Sequence, residues 1–413
     1  MKKIFYVIGF VLLVVPVAFY INDYFKKEII ASINKDIEQM PSAAGAALIT
    51  PCVLPAPTSS LVVNVMTRGA TGNGYTDDTG AIQAAINQVA GTGGTVLVPS
   101  GIYMINAVTS LQLQSNMTLL MQGAILKAIP NSSGNYQILN IDSVSNVNVN
   151  GGTLQGERAN HQGTAGEWGM GISIMSASNV VINNVTSTNA WGDGFYIGSA
   201  SNGPLTGKPS SNILFCSVIA DNNRRQGMSI VAVNGMLVKT SNFTNTNGIA
   251  PMDGIDIEPN AGNTVNNVQI VNSKIYNNIG SGISVSAVDA NIGNSMITNV
   301  YIQGNIITNN SIVGGNAIGL VLSNTSGHKI LNNIVANNYQ DGIDLMSGAS
   351  NNIVSGNVAT NNGTVGNPNN GIGILMYGNS ANNLITGNIA TGNTKANILD
   401  LVGGNAITSN ITK

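Results

Sequence analysis

Asp256 and Glu258 stand two residues apart in the segment Asp253-Gly254-Ile255-Asp256-Ile257-Glu258-Pro259. In an extended strand successive side chains alternate faces, so Ile255 and Ile257 point one way and both carboxylates the other. Only 8% of the residues are charged, so two acids on one outward face call for a reason. By strand rise their Cβ atoms start roughly 6.5–7 Å apart, and carboxyls on neighbouring strands start nearer to about 5 Å. Both separations fall in the range used by inverting and retaining glycosidases. Like charges at that range push one pKa upward, which gives an acid beside a base. The expected roles are Asp256 as base or nucleophile and Glu258 as acid, with Asp253 or Asp193 as the alternate partner.

Other polar chemistry is concentrated just upstream. Arg224 and Arg225 precede Gln226, and Trp191-Gly192-Asp193 is followed by Tyr196. Before these come Glu157, His161 and Trp168, so both tryptophans of the protein lie in this region. Trp168, Trp191 and Tyr196 offer flat faces to pyranose rings. Arg225 and Arg224 can hold sugar carboxylates in a forked, two-bond geometry. His161 is a further candidate for proton transfer, and Glu157 belongs to the same substrate-binding set. Plainer readings stand beside these. Asp193, Asp253 and Asp341 each precede a glycine, so they can be turn formers bonding backbone amides. Arg225 can simply neutralise Asp256, and Glu258 before a proline can be a solvated strand end. His328, in a turn of a plain segment, is expected to be inert. The acids could instead gather Ca²⁺, which favours several carboxylate and carbonyl oxygens; no cofactor is required.

What must position these residues is a repeat. A unit of small residue, apolar, any, apolar recurs at Gly171, Gly194, Gly227, Gly254, Gly282, Ala317, Gly342 and Gly371. Spacings of this size, filled with short alternating segments and no helical periodicity, imply a solenoid of stacked β-strands. Stacking puts equivalent residues about 4.8 Å apart and closes both the hydrogen bonds and the core. In this alignment the outward column reads Ser173, Tyr196, Ser229, Asp256, Ser284, Gly319, Asp344 and Gly373. The abundant Asn is expected to form turns and stacked amide ladders. Unequal spacings imply longer loops that shape a groove, such as the one at 203–209.

Near the start, Asp77-Asp78-Thr79 suits a helix N-terminus, and Ala81, Ile82, Ala85, Ile86 and Val89 recur at helical spacing. The stretch 69–105, GATGNGYTDDTGAIQAAINQVAGTGGTVLVPSGIYMI, resembles the opening module of the pectate-lyase-like superfamily. The resemblance implies an all-β chain: a right-handed parallel β-helix with an N-terminal capping helix. That superfamily includes polysaccharide lyases, glycosidases, epimerases and phage tailspikes. Its galacturonase motifs are absent as a set, as is the Asp-Pro-His-Glu segment of alginate epimerases, so no catalytic residue carries over.

Residues 1–21 read as a membrane anchor or signal segment, since Ile4 to Ile21 is apolar and no small-residue cleavage site follows. Residues 22–60 read as stalk and linker, and 61–413 as the β-helix domain. The body is therefore expected outside the cytoplasm. A net charge of -2 gives no basic footprint for nucleic acid. Of the two cysteines, Cys52 falls in the linker and Cys216 in a core strand. A bridge is open to them, but two thiols are the plainer expectation. Together these features lead to an expected carbohydrate-active enzyme whose partner is a polysaccharide, by glycoside hydrolysis in the first instance. Lyase or C5-epimerase chemistry on uronic acids, and a non-catalytic adhesive solenoid, are the alternatives.

Overall fold

Short strands, each flanked by a turn, wind into three parallel sheets of 13, 13 and 11 strands. The structure is a computed structural model that describes Cys52 and residues 55–287, 296–310, 318–363 and 370–412. The chain divides at Leu54, and the solenoid belongs to the unit beginning there. The expected anchor at 1–21 and most of the stalk lie outside the described residues. No described helix is long and apolar enough to cross a membrane.

Each turn of the solenoid contributes a strand to the first two sheets and, except at the two ends, one to the third, and the strands pair in parallel. The expected right-handed parallel β-helix is thus the observed fold. In the third sheet Ile172, Phe195, Met228, Ile255, Ile283, Leu320, Ile343 and Ile374 stand one above another. All are fully buried, and each such side chain contributes about 1.5–3 kcal/mol of apolar transfer. The one α-helix among the described residues, α1 (Thr79–Val89), lays Ile82, Ala85, Ile86 and Val89 onto the first rungs. Its two acids divide their work. Asp77 Oδ1 accepts from the Thr79 N–H at 3.0 Å. Asp78, at the N-cap position, instead holds the preceding loop through the N–H groups of Thr71 at 2.7 Å and Gly72 at 3.1 Å.

The register corrects the repeat alignment in two turns. Ile283 pairs with Leu320, and Ile343 pairs with Ile374, so Gly319 and Gly373 occupy the small-residue column rather than Ala317 and Gly371. The cause is steric. A Cβ on Gly254, Gly282 or Gly342 would come within 2.5–2.7 Å of the carbonyl oxygen of Gly282, Gly319 or Gly373 on the next rung. Only a glycine fits such a position. The outward column therefore carries Val321 and Leu375 in place of Gly319 and Gly373.

Asparagine serves the turns twice over. Asn222, Asn245, Asn277, Asn309, Asn337 and Asn361 follow the second-sheet strands with φ between 53° and 59°, a left-handed conformation that Asn tolerates. One residue further on, the side chains of Asn278, Asn310, Asn338, Asn362 and Asn393 form a ladder of amide bonds 2.9–3.1 Å long. A second ladder joins Asn305, Asn333, Asn357 and Asn388 at 2.9–3.0 Å. Asn357 also donates to the Ile330 carbonyl at 2.8 Å and accepts from the Asn333 backbone N–H at 2.9 Å. Asn357→Ala leaves several buried groups unpaired, at about 1–3 kcal/mol each. Its urea midpoint should fall by a margin equivalent to about 3 kcal/mol, whereas an exposed Asn such as Asn234 should tolerate the same change.

Neither Cys52 nor Cys216 is a free thiol; both are disulfide-bonded. The expectation of two thiols is corrected accordingly.

Candidate active site

The outward face of the third sheet carries the acids. Asp256 lies on the strand Ile255–Ile257, between Ser229 on one neighbour and Ser284 on the other. Around it a small depression of ≈ 70 Å³ is lined by Trp168, Tyr196, Arg225, Ser229, Val231, Asp256, Glu258 and Asn260. Five of the sequence-derived candidates thus meet in one place: Asp256, Glu258, Arg225, Trp168 and Tyr196. Trp168 is 48% exposed and presents a face to solvent at the rim. Glu258 is half-buried at the strand end.

The other carboxyls are buried just beneath. Asp193 Oδ2 accepts from the Ser229 hydroxyl at 2.8 Å, and Arg225 Nη1 approaches the same oxygen at 3.4 Å. Burial pushes the Asp193 carboxyl up to about 6, although Arg225 opposes the shift. Gln226 clamps the next turn from both ends of its amide. Its Nε2 donates to Asp256 Oδ2 at 2.8 Å, and its Oε1 accepts the Asp253 N–H at 2.7 Å. Asp253 Oδ1 in turn accepts the Ser281 N–H at 2.5 Å, so Asp253 forms the turn that its place before glycine suggested. Desolvation, reinforced by neighbouring carboxyls, raises both Asp253 and Asp256 far above the ordinary carboxylate range.

Burial raises the Asp256 carboxyl well above the ordinary carboxylate range, which favours its protonated form, whereas Glu258 sits at the more open edge of the depression. Arg225 does not simply neutralise Asp256: its partners are Asp193 and, at 3.8 Å, Glu167. Tyr196 is raised by burial and by Asp193, so its hydroxyl stays protonated and can donate.

Four expected binding residues form a buried prop instead of a surface. Trp191 is 8% exposed. The His161 ring stacks on it at 3.8 Å, and the Arg224 guanidinium lies 3.7 Å from its ring centre. Two planar partners at such distances occupy both faces, which leaves none for a sugar. Arg224 donates to the carbonyls of Gly166 at 2.9 Å and Trp191 at 3.2 Å. His161 Nδ1 lies 2.8 Å from Glu157 Oε1, both side chains being almost fully covered. The group supports the loop that carries Glu167 and Trp168. His328 is buried, and burial lowers it to about 4. Among the described residues no three His, Cys, Asp or Glu side chains are arranged to hold a metal ion.

The family model described as rhamnogalacturonase A/epimerase, pectate lyase-like, matches residues 62–284, more than half of the chain. The chain belongs to that family. A second model, the right-handed β-helix region, matches residues 253–412. The chain also resembles the uncharacterized protein YclG of Bacillus subtilis (strain 168), at 29% identity over 53% of this chain and 42% of that one. The chain thus spans less than half the length of YclG. The A-module of the mannuronan C-5 epimerase AlgE4 of Azotobacter vinelandii superposes with a TM-score of 0.69 at 20% identity, covering 85% of this chain and 95% of the module. The N-terminal fragment of bacteriophage Phi29 gene product 12 gives 0.61 at 18% identity, covering 85% of this chain and 66% of the fragment. At such identities the likeness is one of fold.

In this rhamnogalacturonase A/epimerase-like chain, sequence reasoning passed over Gln226, Ser229 and Glu167. Gln226 occupied the residue before the glycine column, beside Asp193 and Asp253. That shared column was the available signal that it faces the same carboxyls.

Proposed function

We propose that the chain acts on a polysaccharide laid along the outward face of the third sheet, and hydrolyses a glycosidic bond with Asp256 as general acid and Glu258 as base or nucleophile. The observation that carries this reading is the shared depression of Asp256, Glu258, Arg225, Trp168 and Tyr196. A proton-holding carboxyl next to a more open one is the arrangement that glycoside hydrolysis needs. Asp256 would protonate the departing glycosidic oxygen. Glu258 would attack the anomeric carbon or draw a proton from the attacking water. Gln226 fixes the Asp256 carboxyl, while Asp193 and Glu167 fix Arg225. Asp253 is a positioning residue in this scheme. The family name and the mannuronan epimerase likeness support a glycan as the substrate class. An extracytoplasmic location, with residues 1–21 as anchor or signal and 22–60 as stalk, fits a polymer encountered outside the cell.

The deciding experiment incubates the full chain with a panel of polysaccharides and measures new reducing ends. Release from at least one glycan is expected; binding without any product would favour an adhesive solenoid. Arg225 at the depression keeps uronic-acid chemistry as a second reading. A lyase would give an unsaturated product with ultraviolet absorbance, and an epimerase would change the sugar composition with no cleavage. Trp168→Ala is expected to raise KM about tenfold, a loss of about 1.4 kcal/mol, with kcat nearly unchanged, because the ring contacts substrate away from the reacting atoms.

A further inference from the structure

The tetrapeptide Asp253-Gly254-Ile255-Asp256 recurs as Asp341-Gly342-Ile343-Asp344. Register places Asp344 in the same outward column as Asp256, three rungs further along, through Ser284 and Val321. At about 4.8 Å per rung the separation is about 14 Å. Between and beyond the two lies a larger depression of ≈ 730 Å³ that begins at Asp253 and extends past Asp344 to Tyr377 and Lys395. Its lining includes apolar side chains, among them Val321 and Leu375, and a row of serines, Ser281, Ser284, Ser286 and Ser323. A pyranose has the same two-sided character, with apolar C–H faces and hydroxyls at its edge.

The two aspartates of the second copy are not equivalent. Asp341 Oδ1 is used by the backbone, accepting the N–H groups of Gly371 at 2.8 Å and Ile372 at 2.6 Å. Asp344 is 1% exposed, lines the depression, and its Oδ1 is buried with no hydrogen-bond partner. A buried polar atom left unpaired is costly, and in native proteins such atoms are few. The first copy has the Gln226 amide at the equivalent carboxyl, whereas Asp344 Oδ1 has no partner and its residue lines the depression. Burial, with Asp341 adding to it, raises the Asp344 carboxyl well above the ordinary carboxylate range. Burial and the two aspartates also push the Tyr377 hydroxyl up to about 12. The Tyr377 hydroxyl donates to Met346 Sδ at 3.1 Å and keeps its oxygen lone pairs for an incoming donor.

We propose that Asp344 and Tyr377 form a second saccharide-binding subsite, which hydrogen-bonds the hydroxyls of sugar units about 14 Å along the same chain from Asp256. This rests on the polysaccharide reading above and extends it to a position that does no bond-breaking. Asp341 shapes the turn, and Lys395 borders the subsite on the far side.

The test is affinity electrophoresis of the full chain through gels cast with polygalacturonate, rhamnogalacturonan or alginate, alongside kcat on whichever glycan is cleaved. For the retarding glycan, Asp344→Asn and Tyr377→Phe should each weaken retardation roughly fivefold, as expected for one hydrogen bond, with kcat at saturation held within about twofold. The two variants touch different groups, and a thermal midpoint for each separates lost binding from lost folding. Normal retardation of both variants would overturn the subsite while leaving the cleavage reading intact. Failure of the unmodified protein to be retarded by any of the three would overturn both.

Discussion

Asp256→Asn should lower reducing-end release by about 10²–10⁴-fold, the range a positioned general acid supplies. The fold should survive, because Asn keeps the shape and can still accept the Gln226 amide proton. The decisive comparison uses aryl glycosides whose leaving groups depart without protonation. On these Asp256→Asn should recover most of its activity, since the acid is no longer needed. Glu258→Gln should remain inactive on both kinds of substrate, since the attack on the anomeric carbon is still missing. The opposite pattern, recovery by Glu258→Gln alone, would restore the assignment with Glu258 as acid. Full activity of both variants on the polymer would remove paired-carboxylate catalysis altogether.

The second large effect concerns stability and pH. Asp193, Asp253, Asp256 and Asp344 all have carboxyls raised by burial. In the unfolded chain such groups release their protons near pH 4, whereas the native protein retains them to higher pH. Between those limits the native state binds more protons, so stability is greatest below about pH 4 for these groups and falls as pH rises. For Asp193 the window runs from the ordinary carboxylate range to about 6, which corresponds to on the order of 3 kcal/mol. The other three extend the decline to higher pH. Urea midpoints measured from pH 4.5 to pH 8 should therefore decrease, and Asp344→Asn should make the slope shallower. A midpoint that rises over this interval would contradict the buried, proton-holding state of these acids.

Much of this was legible in the residues, for physical reasons that also explain the misses. A glycine before an alternating apolar pair marks the inward stack, and eight such units suffice to show a solenoid. The alignment slipped by two residues at Ile318 and Ile372, and the inward stack there is Leu320 and Ile374, while Ile318 and Ile372 line the larger outer depression. Strand side chains alternate with period two, so a slip of two leaves the apolar pattern looking the same. Ala317-Ile318-Gly319 and Gly371-Ile372-Gly373 fit both registers; only the close approach of the next rung's carbonyl separates them. Asp256, Glu258, Arg225, Trp168 and Tyr196 were found because all are read from strand parity or from position beside a strand. Trp191 lies in a turn, where parity says nothing. Its two covering partners come from segments 30 and 33 residues away, His161 and Arg224, and no local pattern announces a sandwich of that kind. The exchange of roles proposed for Asp256 and Glu258 has the same origin. Spacing tells which carboxyls are neighbours, whereas burial, which raises Asp256, is not written in it.

Because the strands between the two Asp-Gly-Ile-Asp copies pair rung upon rung, the distance between the copies is quantised. Removing or duplicating one complete turn between them would move the copies nearer or farther by a single rung, with neither disturbed internally. The solenoid thus acts as a ruler with one graduation per turn. If a glycan spans the two proposed contact points, the length between them can be reset in whole steps, with no need to redesign either end.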